Sequence, residues 1–258
     1  MNARASVKVL AVIPVRYAST RLPAKPLADI HGRPMVQWVY EAAAGAEGVD
    51  ELVVATDDER IARAVRAFGG AVEMTAASHR NGSERVAEVA RRRDADVVVN
   101  VQGDEPAVDP RGIERAVAAL RDSPGVRMST LRVRLEDPAA IASPNVVKVV
   151  TDLAGDALYF SRSPIPFCVD APTPCYKHLG LYAYRRDLLL EMVAWPPTAL
   201  ELAERLEQLR ALEHGVRIRV VDAERDSIGV DTAEDLERVR ALLAGARKSG
   251  RKEDAHEV

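Results

Sequence analysis

The apolar run VKVLAVI, from Val7 to Ile13, gives way at once to a stretch that can be neither strand nor helix for long, Pro14 to Pro26. The run is short, rich in β-branched residues and charged only at Lys8, the pattern of a strand buried on both faces of a parallel sheet. Pro14, Pro23 and Pro26 have no backbone donor, so the strand is expected to end at Pro14 and the segment to run on as irregular backbone. Arg16, Arg21 and Lys25 are thereby displayed at a strand's carboxyl end, where open α/β sheets bind ligands. Any one of these cations alone reads as a solvated surface charge. Three of them between fixed prolines suit a polyanion such as a nucleoside triphosphate, two as planar forks and one as a mobile point charge.

Beyond this loop the pattern alternates. Helical spacing covers Pro34 to Ala46, and Glu51 to Ala55 reads as a second buried strand. Thr56, Asp57 or Asp58 should cap a helix from Glu59 to Phe68, and Ala71 to Met74 is a short third strand. The turn Ser78 to Ser83 leads into a helix from about Glu84 to Arg93, whose free backbone donors could hold an anion or a base edge. Asp96 to Val101 is a central strand that empties into Gln102, Gly103, Asp104, Glu105 and Pro106. Strands alternating with helices predict an α/β, mostly parallel sheet, with the loops from Pro14, Thr56 and Gln102 converging on one cleft.

From about residue 127 to 185 the chain turns β-rich: Arg127 to Leu135, Asn145 to Val150, Ala157 to Ser161 and Tyr176 to Arg185. These read as antiparallel additions that cover a substrate or pair with another subunit. Capping boxes at Thr198–Glu201 and Thr232–Asp235 open two closing helices, the first carrying Leu202, Leu206 and Leu209, with a strand from Arg217 to Val221 between them. The expectation is one domain over residues 7–245, with disordered ends at 1–6 and 246–258.

At 258 residues and 47% hydrophobic content, the chain can bury roughly 70 to 75% of its unfolded surface in such a domain. Thirty-six basic residues against 39 acidic ones leave a net charge of −3, without a basic stripe interleaved with aromatics, which argues against a nucleic-acid partner. No apolar run approaches the roughly 20 residues of a membrane span, and residues 1 to 9 lack the apolar core of a secretory signal. A cytoplasmic protein without a membrane partner is expected. Cys168 and Cys175 form no zinc pattern, and the five histidines show no metal-ligand spacing. The first strand is not followed by G-x-G-x-x-G, and neither a P-loop nor a nucleophile elbow is present. Direct transfer without a covalent enzyme intermediate is the simpler chemistry.

Asp104 and Asp231 each follow an apolar segment in a turn near a glycine. Either alone reads as a turn former or helix cap, Asp231 especially, because the helix starting near Thr232 needs a cap. Beside a triphosphate loop they gain a second reading, since Mg²⁺ takes oxygen ligands and commonly only one or two protein carboxylates.

The segments IPVRYASTRLPAKPL, VATDD, NGSERVAE, VVNVQGDEP, SPNVVKVV, ALYFSRSPIP, KHLGLYAYRRD, LEQLRALEHG and SIGVDTAEDLERV, in this order, resemble the 3-deoxy-manno-octulosonate cytidylyltransferase (CMP-Kdo synthetase) family from about Val7 to Leu243. The resemblance implies a cytosolic, Mg²⁺-dependent homodimer of Rossmann-like α/β fold that joins CTP to 3-deoxy-manno-octulosonate (Kdo) and releases pyrophosphate. It assigns Arg16 and Lys25 to the CTP phosphates, and Pro14, Thr56, Asp57, Gly82 and Ser83 to segments bordering cytidine. Asp104, also at the nucleotide, and Asp231 become the Mg²⁺ ligands. Gln102, Arg162, His178, Tyr182, Glu207 and Gln208 match positions that hold the acid sugar, with Arg162 the partner expected for its carboxylate. From the residues alone, Tyr182 also fits a core position, His178 a satisfied strand histidine, and Glu207 with Gln208 the polar flank of an amphipathic helix. Another acid sugar, such as 8-amino-Kdo or a sialic acid, and a non-catalytic nucleotide-binding relative stay open. Two departures stand out. The family commonly has glycine where this chain has Ala24, so a positive φ there would strain the loop by about 1 kcal/mol or slightly more. The segment FCVDAPTPCY is shorter than in some members and lacks an expected basic residue, which bears on sugar selectivity.

Overall fold

A computed structural model of the chain describes residues 7–18, 22–169 and 173–253, with side chains as far as 245. Arg21, residues 1–6 and residues 254–258 lie outside the described residues. One mixed sheet organises the molecule. Strands β1 (Val9–Val15), β4 (Glu51–Thr56), β5 (Val72–Met74) and β6 (Val97–Asn100) are parallel, in the order β6-β1-β4-β5. The other half of the path is β11 (Ile218–Asp222), β7 (Met128–Leu135) and β10 (Cys175–Arg185); β10 runs antiparallel to both β6 and β7. The region read as a β-rich extension therefore supplies two strands of the main sheet. Only the hairpin of β8 (Lys148–Thr151) and β9 (Ala157–Ser161) lies off that path.

Period-two alternation along β1 divides the core. Val9, Ala11 and Ile13 face α1 (Met35–Ala44), α2 (Glu59–Ala67) and α4 (Pro110–Asp122), while Leu10 and Val12 face α3 (Gly82–Arg91), α6 (Arg186–Met192) and α8 (Gln208–Glu213). Each fully buried Val, Leu or Ile contributes about 1.5–3 kcal/mol against exposure. A third cluster docks α9 (Ala233–Glu253) against α1, through Val230, Leu236, Val239 and Leu243 packed with Ile30 and Met35.

Two expectations are corrected. The first strand runs on through Pro14 to Val15, pairing Pro14 with Ala55 and Val15 with Thr56. Even-numbered residues of β1 aim their backbone groups at β6, as the Val101 N–H to Val12 carbonyl bond shows. Pairing with β6 ends at Val12, so the donor that Pro14 lacks has no ladder partner to lose. The helix expected to carry Leu202, Leu206 and Leu209 is broken: α7 (Ala199–Glu204) ends on Arg205 at φ 54°, and α8 starts after Glu207. Helix α9 runs to Glu253. Finally, α4 and the small hairpin of β2 (Asp29–Ile30) with β3 (Arg33–Pro34) were not foreseen.

Candidate active site

The parallel strands deliver their carboxyl ends to one edge, where a cleft of about 370 Å³ is lined by Arg16, Lys25, Gly82, Gln102, Asp104 and Asp231, among others. Its floor requires Gly103: a Cβ there would come within 2.8 Å of the Pro14 carbonyl oxygen. The two aspartates, far apart in sequence, meet because the Val230 N–H donates to the Asp104 carbonyl at 2.9 Å. That bond lays the Ile228–Asp231 segment along the turn after β6.

Asp231 is not the cap of α9. Thr232 Oγ1 accepts from the Asp235 N–H at 3.1 Å, and Asp235 Oδ2 accepts from the Thr232 N–H at 3.0 Å. The capping box thus closes without the Asp231 carboxylate, and Asp231 lines the cleft. There Lys25 Nζ donates to Asp104 Oδ2 at 2.7 Å and to Asp231 Oδ1 at 3.2 Å. Two carboxylate oxygens from separate turns converge on one cationic centre, which is the donor set a hard divalent ion uses with substrate oxygens completing its shell. The ammonium stands in for such an ion, so the residues present fit Mg²⁺.

Arg16 donates from Nη2 to the His79 carbonyl at 2.8 Å, which fixes one arm of its fork to the turn before α3. Beside it, the Arg60 guanidinium lies 3.3 Å from the Tyr17 ring centroid and is held by Asp58 at 2.9 and 2.6 Å. Asp58 is also the cap of α2, and Arg60 pulls its carboxyl down to about 2.

The remaining nucleotide candidates separate. Pro14 and Gly82 line the cleft, with a Gly82 Cβ position 3.3 Å from Pro14 Cγ. Thr56 does not reach it: fully buried, it accepts from the Asp58 N–H at 3.2 Å and so serves the turn. Asp57 stands behind the lining, 3.3 Å from Arg85 Nη2. Arg85 itself went unrecognised as a site residue. It is fully buried and lines the cleft, and its Nε and Nη2 find no hydrogen-bond acceptor among the described residues. Burial lowers its pKa, with Asp57 opposing. The only sequence signal was an arginine on the buried face of an otherwise apolar-faced helix.

A second cavity, of about 850 Å³, shares Asp231 with the first and is lined by Glu105, Arg162, Lys177 and His178, among others. Gln102 links the two, donating from Nε2 to the Gly180 carbonyl at 3.1 Å, where β10 shifts register. Burial pushes the Glu105 carboxyl up to about 7, with Asp104 and Asp226 adding to the rise and the Ser227 hydroxyl opposing it. His178 Nε2 is 3.0 Å from Thr130 Oγ1, whose single proton goes to the Leu179 or Leu181 carbonyl. That bonding places the imidazole proton on Nε2. Burial, with Lys177 adding, lowers the His178 pKa to about 3, so the ring is neutral.

Arg162 is less available than expected. Its Nε, Nη1 and Nη2 donate to the carbonyls of Glu204, Pro144 and Arg205 at 2.7, 2.9 and 3.5 Å. Tyr182, Glu207 and Gln208 are not on the lining of either cavity. Tyr182 packs between His178 and Tyr184. Ser83 Oγ donates to Glu207 Oε2 at 3.0 Å, and burial raises the Glu207 pKa. Glu207 Oε1, Gln208 Nε2 and Asn100 Oδ1 are buried without a hydrogen-bond partner among the described residues. The polar-flank reading of Glu207 and Gln208 is therefore replaced by a buried polar cluster with unused bonding capacity.

Comparison with known proteins places the chain in a family. A family profile described as Cytidylyltransferase matches residues 10–218. The chain is 58% identical over 249 residues to a 3-deoxy-manno-octulosonate cytidylyltransferase of Geobacter sulfurreducens, covering 92% of this chain and 100% of that one. It is 55% identical over 245 residues to the protein of the same name from Solibacter usitatus, at 94% and 97% coverage. A solved CMP:2-keto-3-deoxy-manno-octonic acid synthetase complexed with CTP superposes with a TM-score of 0.89 at 47% identity, over 93% of this chain and 99% of that one. A 4-diphosphocytidyl-2C-methyl-D-erythritol synthase from Anaerococcus prevotii shares the fold, with a TM-score of 0.63 at 16% identity, over 93% and 97% of the two chains.

Proposed function

Because the chain belongs to the cytidylyltransferase family, we propose that it is a nucleotidyltransferase that joins CTP to Kdo, giving CMP-Kdo and pyrophosphate, the activated sugar serving lipopolysaccharide biosynthesis. The observation that carries this reading is the meeting of Arg16, Lys25, Asp104 and Asp231 in one cleft of a chain 47% identical to a synthetase solved with CTP.

The Kdo anomeric hydroxyl, seated in the larger cavity, attacks the α-phosphorus of CTP in line. A new C–O–P linkage forms, the bond to the β-phosphate bridging oxygen breaks, and the hydroxyl proton is lost to the surroundings. Arg16 and Lys25 meet the phosphates and stabilise the departing pyrophosphate. Asp104 and Asp231 would hold Mg²⁺, which would supply charge neutralisation at the reacting phosphate. The open donors of Arg85 suit an acceptor edge of the cytosine ring. Neutral His178 offers a hydrogen bond to a sugar hydroxyl, and Arg238 on the same cavity supplies positive charge where Arg162 is committed.

A homodimer fits the exposed apolar side chains Leu158, Phe167 and Val169 on and beyond β9. Cytoplasmic residence follows from the supply of CTP. No helix among the described residues is long and apolar enough to cross a membrane. Pyrophosphate release from CTP with Kdo, 8-amino-Kdo and a sialic acid, repeated with UTP, tests the proposal. Turnover with CTP and Kdo is expected. CTP binding without product from any sugar would leave a nucleotide-binding protein instead.

A further inference from the structure

Lys25 occupies the position that the two aspartates offer to a metal ion. Its Nζ lies 2.7 Å from Asp104 and 3.2 Å from Asp231, and its side chain is 14% exposed, against 34% and 47% for theirs. The backbone beneath it is pinned: Lys25 begins a 3₁₀ turn with Pro26 next, the Leu27 N–H donates to the Ala24 carbonyl at 2.8 Å, and the Lys25 N–H to the Leu22 carbonyl at 3.1 Å. The four-carbon stem above that backbone remains flexible. Arg16, in the same cleft, is by contrast tied to the His79 carbonyl.

We infer that Lys25 is a displaceable internal counter-cation: it holds the Asp104–Asp231 pair in the free protein, and phosphate binding draws it off, leaving the pair available to a divalent ion. Metal and nucleotide affinity are then coupled through one side chain. By linkage, the factor by which the nucleotide tightens metal binding equals the factor by which the metal tightens nucleotide binding. The inference rests on the phosphate-binding role proposed for this cleft, but its core concerns the carboxylates alone and is tested without substrate.

The test is a titration of the full chain with Mn²⁺ and no nucleotide, following the free-ion paramagnetic resonance signal. Lys25→Met removes one unit charge about 3 Å from the ligands, and Mn²⁺ should bind about ten- to a hundredfold tighter than to wild type. Lys25→Arg keeps the charge and should stay within about threefold of wild type. Adding Asp104→Asn to Lys25→Met should abolish the gain. Melting curves confirm folding of each variant, and Lys25→Gln carries the same comparison if the methionine form does not fold. Equal or weaker Mn²⁺ affinity in the neutral variant, or an equal gain in the arginine variant, overturns the inference. A failed CTP–Kdo assay would leave this titration standing, and a failed titration would leave cytidylyl transfer standing.

Discussion

Replacing Ala24 by glycine should stabilise this protein. Ala24 sits at φ 55°, ψ 24°, in the left-handed region, between the turn closed by the Lys25 N–H and the 3₁₀ turn that carries Lys25 and Pro26. For a residue with a Cβ this conformation costs about 1–2 kcal/mol, because the Cβ crowds the following carbonyl. Glycine removes that cost, while its greater freedom in the unfolded chain gives back about 0.4–1 kcal/mol. The net gain is about 0.5–1 kcal/mol. For a chain of this size it appears as a rise in Tm of about 1–4 °C, with the urea m-value unchanged. Ala24→Val, β-branched at the same φ, should move the other way by at least as much. Thermal and urea melts of the three proteins decide the matter. A glycine variant that melts at or below the wild-type temperature, with a valine variant that melts no lower, would show that Ala24 stores no strain.

Three further outcomes follow from the site. Asp104→Asn should lower turnover with CTP and Kdo by about 10²–10³-fold, with the melting temperature little changed; near-normal turnover at ordinary Mg²⁺ would remove Asp104 from the metal site. Arg85→Met should raise the KM for CTP about tenfold or more while changing kcat far less, and an unchanged KM would mean that its open donors do not meet the nucleotide. His178 makes stability pH-dependent: its folded pKa of about 3 lies below the ordinary 6.5, so between those values the unfolded chain binds the extra proton. The contribution is full above pH 6.5 and is lost as pH falls toward 3. Urea midpoints should report about 2 kcal/mol less stability at pH 5 than at pH 7.5, beyond the loss shown by His178→Gln; equal losses in both proteins would place a charged imidazole in the fold.

Much of the architecture was readable because its signals are local. The apolar runs of β1 and β6, a cap among Thr56, Asp57 and Asp58, and the capping boxes at Thr198 and Thr232 depend on residues within a few positions of one another. What was not legible depends on distant partners. Pro14 stays in a strand only because β6 stops short of it, and Arg162 is committed because carbonyls from residues 144, 204 and 205 surround it. Arg85 drew no reading of its own, because its burial against the cleft depends on how α3 packs on the sheet. Helix α4 was legible and overlooked: Asp109 caps it, Pro110 opens it, and Ile113, Ala116, Val117 and Leu120 recur at helical spacing. Asp231 was the hardest to assign by sequence, since only the exchange between Thr232 and Asp235 shows that the helix does not need it.

The placement of β10 sets an order of events on the ribosome. Residues up to Asn100 can assemble β5-β4-β1-β6, but the open side of β6 waits for a strand made some 80 positions later, and a waiting edge invites mispairing. Asp231 arrives later still, after β11, and is seated only when its neighbour Val230 bonds back to Asp104. A truncated or half-folded chain therefore has no complete acidic pair with which to hold a metal ion, and idle fragments of this protein should be unable to consume nucleotide.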